Sequence, residues 1–232
     1  MDATPNRDHP LSVERLKTAE TWIFDLDNTL YPASCRLFDQ VDKNITRYIM
    51  RFLDIDWDEA YYLQKNYFRH HGTTMRGLMN LHDADPDDFL EFVHDIDLAP
   101  VDANPRMDTA LAALPGRKII FTNGSVGHAE RIMAKLGVDH HFEAIFDIVA
   151  SDYEPKPAPA VYERLVEQHD IRPDTAVMVE DMGRNLEPAA AMGMTCVWVR
   201  TENDWGKEGS EGDHVHHVVD DLTAWLADVT ET

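Results

Sequence analysis

Runs of four to six residues that are apolar at nearly every position can be stable only where both of their faces are covered. This chain contains several: Trp22–Asp25, Lys118–Thr122, Ile145–Ala150, Ala176–Glu180, Thr195–Val199 and a weaker one at Val215–Val219. A strand with one wet face alternates with period two, and these do not. They read as parallel strands buried on both sides. Helical patterns separate most of them. Gly127–Leu136 closes on Gly137, Ala160–His169 stops before Ile171-Arg172-Pro173, and Arg184–Met192 carries Pro188 in its first turns with Gly193 at its end. Strand–helix alternation predicts an α/β fold, a doubly wound parallel sheet of Rossmann-like form.

One interval breaks the alternation. From Cys35 to Pro105 there is no strand signal, only amphipathic stretches at Leu37–Phe52, Trp57–His70, Gly77–Leu81 and Pro86–Val93. This predicts an inserted α-helical cap domain over residues 35–105. The Rossmann-like core then comprises residues 21–34 and 106–232, and residues 1–20 form a polar tail. The 232 residues are enough for such a core plus an insertion. Within the cap, Thr73, Thr74 and Arg76 follow Gly72 in an expected loop. Tyr61, Tyr62, Tyr67 and Phe68 sit at helical spacings and are expected in its core. WGKEGSEGD, from Trp205 to Asp213, is the most loop-like segment.

The chain carries 43 acids against 21 Lys and Arg, a net charge of −22. Nucleic-acid and anionic-membrane surfaces need the opposite balance, so neither is an expected partner. An anionic substrate would be repelled by such a field unless local positive charge drew it in. No apolar run approaches a membrane span, and the N-terminus has no apolar signal core. The two cysteines, Cys35 and Cys196, have no CxxC spacing. A reduced, cytoplasmic setting is expected, and no His/Cys metal site is visible.

Polar residues gather where the apolar runs end. The first ends in Asp25-Leu26-Asp27-Asn28-Thr29, the second in Thr122-Asn123-Gly124-Ser125. The third is followed by Lys156 between Pro155 and Pro157, and the fourth ends in Glu180-Asp181 with Asn185 beyond. Ligands of open parallel sheets bind outside these carboxyl ends. Asp25 and Asp27 lie one residue apart on a strand and so point the same way. That is costly unless a cation or a shared proton offsets it. An oxygen-rich cluster suits Mg²⁺. The amides and hydroxyl opening a helix after Thr122 suit an anion, although Thr122 alone could be only a helix cap. A carboxylate, a cation, a lysine and an anion cradle together suit attack on a phosphate ester.

In order and spacing, the four segments resemble the motifs of the haloacid dehalogenase-like (HAD) superfamily. The resemblance implies that Asp25 is the nucleophile and Asp27 the general acid and base. It implies that Thr122 binds the phosphoryl group and Lys156 holds nucleophile and phosphate. Asp181 would ligate Mg²⁺ with Asp25 and the Asp27 carbonyl, with Glu180 and Asn185 supporting them. The dehalogenases of the superfamily lack an acid where Asp27 stands, which favours phosphate chemistry. HGTTMRGL, FLEFVHDIDLAP and FTNGSVGHAERIMAKLGV further resemble the pyrimidine 5′-nucleotidase branch. Asn123, Gly124, Thr73, Thr74 and Arg76 are then expected at the substrate, and His94 as an ordinary helix-face histidine. The expected substrate is a small phosphorylated metabolite such as UMP or CMP, turned over by a monomer or homodimer. The alternatives are a phosphosugar phosphatase or mutase, a 2-haloacid dehalogenase, and a non-catalytic HAD-like nucleotide-binding protein.

Overall fold

The apolar runs pair into a single layer. In the computed structural model, which describes residues 10–201 and 204–231, six strands form one sheet. They are β1 (Thr21–Phe24), β2 (Arg117–Phe121), β3 (Ala144–Phe146), β4 (Ala176–Glu180), β5 (Thr195–Val199) and β6 (His217–Val219). Their order is β3-β2-β1-β4-β5-β6 and every pairing is parallel. Successive residues of β1 feed opposite sides: Trp22 and Phe24 join one apolar cluster, Ile23 the other. Every residue of β1 and β4 is buried, which is why neither alternates in sequence. The winding direction changes between β1 and β4, the point at which such sheets open a crevice. The expected doubly wound parallel sheet is therefore present.

The helices are α1 (Pro10–Lys17), α2 (Phe38–Leu53), α3 (Trp57–His71), α4 (Thr74–His82), α5 (Pro86–Val93), α6 (Pro105–Ala113), α7 (Val126–Leu136), α8 (Pro159–Gln168), α9 (Leu186–Ala191), α10 (Asp204–Lys207) and α11 (Leu222–Glu231). Helices α2 to α5 occupy the interval between β1 and β2 and pack on one another. None of the described helices is long and apolar enough to cross a membrane.

Several local expectations change. The expected tail holds α1, with Leu16 buried, and its residues 1–9 lie outside the described residues. The third run stops at Phe146 because buried Asp147 accepts the Val126 and Ala150 amides and turns the chain. Arg184–Met192 divides into a 3-10 turn at Gly183–Asn185 and then α9. The loop expected at Thr73 is a helix start: Thr73 caps α4, its hydroxyl accepting the Arg76 amide at 3.1 Å. Tyr61 and Tyr62 are exposed rather than core, while Tyr67 is buried. The loop-like segment begins with α10, and its Gly206 and Ser210 are buried.

Two glycines fix how the helical insertion closes. Gly72 has φ +81° where α3 turns into α4, and a Cβ there would lie 2.9 Å from Pro155 Cγ. Gly77 faces Tyr67, whose Cβ would be 2.4 Å from an added Cβ. Helix propensity alone would make Gly77→Ala stabilising by about 1 kcal/mol. The contact is with the rigid root of Tyr67, so overpacking outweighs that gain. We expect Gly77→Ala to lower stability by about 1–3 kcal/mol, read as a lower urea midpoint at unchanged slope.

Candidate active site

The register brings two acids together. Phe24 pairs with Val179, so Asp25 and Glu180 leave the sheet side by side, and the Asp25 amide donates to Val179 O at 2.9 Å. The loop after β3 then returns to this point. Lys156 N–H donates to Asn123 Oδ1 at 2.9 Å, and its Nζ donates to Asp25 Oδ1 at 2.7 Å, Glu180 Oε2 at 2.7 Å and Phe121 O at 2.9 Å. Lys156 is 2% exposed. Its three donors are thus fully used by the ends of β1, β2 and β4. Asp25 Oδ2 accepts the Thr29 hydroxyl at 2.9 Å. Burial works against the Lys156 ammonium, but Asp25 and Glu180 hold its pKa above the usual value. Burial and the Glu180 charge push Asp25 up to about 7 against the pull of Lys156.

Asp181 completes an acidic set. One carboxylate oxygen from each of Asp25, Glu180 and Asp181 lies within 4.8 Å of the others. Burial, with Glu180 and Asp25 nearby, raises the Asp181 pKa well above normal. Fully ionised, three carboxylates against one ammonium would leave two negative charges unpaired in a buried place, which is why Asp25 and Asp181 are pushed toward their neutral forms. Asp181 Oδ2 and Asn185 Oδ1 are also buried with no hydrogen-bond donor among the described residues. Each such acceptor costs about 1–3 kcal/mol. A hard divalent ion with oxygen ligands answers both the charge and the orphaned oxygens, so these residues fit Mg²⁺.

Asp27 is held differently. Its Oδ1 accepts Tyr31 OH at 2.6 Å and meets His128 Nε2 at 2.9 Å. Burial would raise its pKa, but the His128 interaction and these hydrogen bonds outweigh that and lower it. His94, from the C-terminal end of α5, stacks on His128 with ring centres 4.1 Å apart and planes 13° apart. Burial, and then His128, push the His94 pKa down to about 3, so this imidazole is neutral. It is no ordinary helix-face histidine. Neither the His94–His128 stack nor the His128–Asp27 bond has a periodic signature; the signal available was that FVH and HAER lie in the segments that resemble the pyrimidine 5′-nucleotidase branch.

These groups line a chamber of about 170 Å³ beneath the helical insertion. Asp25, Asp27, Thr122, Asn123, Gly124, Lys156, Glu180, Asp181 and Asn185 form its floor. Thr122 Oγ1 accepts the Gly124 amide at 2.9 Å. Thr73 and Thr74 reach the chamber, although the Thr74 hydroxyl donates to Gln64 O at 3.0 Å. Arg76 does not reach it. Its guanidinium turns to the Lys156 loop, bonding Tyr153 O at 3.3 Å and Glu154 Oε2 at 2.9 Å. The roof is mostly apolar, with Phe38, Val41, Ile45, Phe68, Leu90 and Val93 beside the polar Thr73, Thr74 and His94. Phe68 is therefore a wall residue and not only cap core, and Trp205, expected in a plain loop, is another.

The chamber shares Asn28, Phe38, Phe68 and Trp205 with an outer groove of about 1730 Å³. Arg36, Lys43, Lys65, Arg69, Arg106, Arg184 and Arg200 line this groove, seven of the chain's 21 basic residues. They face six acids there, so the local charge is near balance on an otherwise strongly acidic protein. Away from this site, His140 and His141 both approach Asp108 Oδ1, at 3.1 and 2.7 Å, in a partly exposed trio that the sequence did not announce.

A parallel sheet with β1 and β4 at its switch point, and a lysine shared by their terminal acids, defines a hydrolase-type crevice. The chain belongs to the haloacid dehalogenase-like hydrolases, whose family model matches residues 20–193. Among curated proteins it is 26% identical over 197 residues to Phosphate metabolism protein 8 of Saccharomyces cerevisiae, covering 75% of this chain and 60% of that one. It thus spans under two thirds of that relative. It is 30% identical over 129 residues to Fructose-1-phosphate phosphatase YqaB of Escherichia coli, covering 53% of this chain and 67% of that one. Among solved structures it resembles a HAD phosphatase from Thermococcus onnurineus, with a TM-score of 0.60, 18% identity, and 90% and 97% coverage. It also resembles the L-2-haloacid dehalogenase from Xanthobacter autotrophicus, with a TM-score of 0.55, 16% identity, and 92% and 97% coverage. At such identities these two establish the fold.

Removing the shared cation should expose how much the floor depends on it. Lys156→Met leaves Asp25 and Glu180 buried without their partner. We expect a loss of about 3–5 kcal/mol in urea unfolding with EDTA present, and a smaller loss when Lys156→Met is combined with Glu180→Gln.

Proposed function

We propose that the protein is a Mg²⁺-dependent phosphomonoester hydrolase that works through an aspartyl-phosphate on Asp25, with pyrimidine nucleoside 5′-monophosphates such as UMP or CMP as substrates. The observation that carries the reading is Asp27. Its carboxyl is held by Tyr31 and His128 two residues beyond Asp25, at the chamber wall. Loss of an alkoxide needs a proton donor at that point; loss of a halide does not.

In this reading the negative charge of the bound ester offsets the lowering of the Asp27 pKa by His128 and Tyr31, so that Asp27 enters protonated. Asp25 Oδ attacks phosphorus, and the bond from phosphorus to the leaving oxygen breaks as Asp27 gives that oxygen its proton. Asp27 then takes a proton from water, which attacks phosphorus and frees phosphate and the Asp25 carboxylate. Lys156 keeps the Asp25 carboxyl oriented and offsets charge. Thr122 already accepts the Gly124 amide, which leaves its own proton for a phosphoryl oxygen. Bound by Asp25 and Asp181, with the Asp27 carbonyl, Mg²⁺ would supply charge neutralisation and hold the nucleophile ionised. The helical insertion acts as a cap that excludes water.

The name of the Escherichia coli relative keeps a phosphosugar substrate in play. The mostly apolar roof weighs against it, because a polyhydroxylated leaving group would bury hydroxyls beside Phe38, Val41 and Leu90 without partners. A nucleoside also brings ribose hydroxyls, but fewer per unit of surface, and its base offers a flat face to that roof.

A phosphate-release screen across nucleotides and sugar phosphates, with and without Mg²⁺, tests the reading. UMP and CMP should be preferred and EDTA should abolish release. Preference for sugar phosphates would replace the substrate and leave the mechanism; dehalogenation that persists in EDTA would replace both. Asp25→Asn should abolish turnover, and Asp27→Asn should slow it by about 10²–10⁴-fold.

A further inference from the structure

We propose that His128 is a positioning residue that dedicates one oxygen of Asp27 to proton transfer, and that His94 completes the arrangement from the helical insertion. The proposal rests on the phosphatase reading above. Two donors converge on a single oxygen: Tyr31 OH at 2.6 Å and His128 Nε2 at 2.9 Å both reach Asp27 Oδ1. Among the described residues Oδ2 has no hydrogen-bond partner, and Asp27 lines the chamber. With Oδ1 occupied twice, a proton carried by this carboxyl sits on Oδ2. The pair of donors thereby fixes both the carboxyl plane and the identity of the reactive oxygen.

His128 is itself held. It lies in the first turn of α7, its side chain 1% exposed, and its amide donates to the hydroxyl of the Ser125 cap at 3.4 Å. The His94 ring covers its face at 4.1 Å, with Nδ1 3.0 Å from Ser125 Oγ. Arg131, one turn further along α7, donates to His94 O and Ile96 O, each at 3.0 Å. The end of α5 is thus fastened to the helix that carries His128. Proton transfer at Asp27 therefore needs the last turn of the insertion seated on α7.

A merely structural histidine pair would affect all substrates alike, whereas a pair that orients the proton donor matters most when the leaving group needs the proton. Benzyl phosphate and 4-nitrophenyl phosphate are flat and similar in size, but only the second releases an anion stable without protonation. The readout is the ratio of kcat/KM on benzyl phosphate to kcat/KM on 4-nitrophenyl phosphate, which reports the steps up to loss of the leaving group and not the shared hydrolysis of the aspartyl-phosphate. His128→Ala should lower that ratio by about 10- to 100-fold, within the range of a general acid's contribution, and His128→Gln, which keeps a donor near Nε2, should recover most of it. His94→Ala should lower the ratio less, and His94→Phe, which keeps a flat ring, should restore it. If His128→Ala does not fold, the His94 pair supplies the same comparison. Equal losses on both esters, or an unchanged ratio, would overturn the proposal while the phosphatase reading stands. A wild-type chain inactive on these esters and on every phosphate in the screen would overturn both.

Discussion

One buried ammonium organises the site. Lys156 Nζ lies within 2.9 Å of three acceptors, which come from the ends of three different strands. Two of these acceptors are carboxylates that would otherwise repel each other in a dry crevice. A lysine at 2% exposure is stable only with that company. The dependence also runs the other way. Asp25 stands at a strand end because β1 is buried on both faces, and Glu180 stands beside it because β4 is its parallel neighbour. The sheet's winding, the acids' spacing and the lysine's burial are one constraint seen from three sides.

Even so, Lys156 does not balance the floor. Asp181 adds a further carboxylate, and two buried oxygens, on Asp181 and Asn185, are left without donors. The arrangement leaves buried oxygens without partners among the described residues, and its donor set is one that a hard divalent ion would fit. Asp27 is treated separately, its charge supported by Tyr31 and His128 rather than by Lys156. Two aspartates one residue apart thus occupy unlike surroundings, the condition under which neighbouring carboxyls can take unlike roles.

Much of this was legible in the chain. The strand ends could be read because runs such as AVMVE and TWIF have no polar face, and the acids and lysine stand where those runs stop. Less legible was anything that depends on two distant segments meeting. His128 and Asp27 are 101 residues apart, and His94 reaches Ser125 across 31. Neither contact follows from periodicity. Arg76 looked like a substrate ligand because it follows GTT, but α4 starts at Thr74 and turns its guanidinium to Tyr153 and Glu154. Trp205 sits in a glycine-rich, acidic stretch that reads as a solvated loop, yet it walls the chamber. In each case tertiary packing overrode a sound local signal.

The Arg76 contact carries a consequence of its own. Arg76 bonds the loop two and three residues before Lys156, and Gly72 leaves no space for a side chain against Pro155. The part of the chain that would choose the substrate is therefore keyed to the part that would perform the reaction. Exchanging the insertion for that of a relative is not a free swap of modules. A transplanted cap would have to arrive with its own matching segment 153–155, or the lysine's loop would lose its seat.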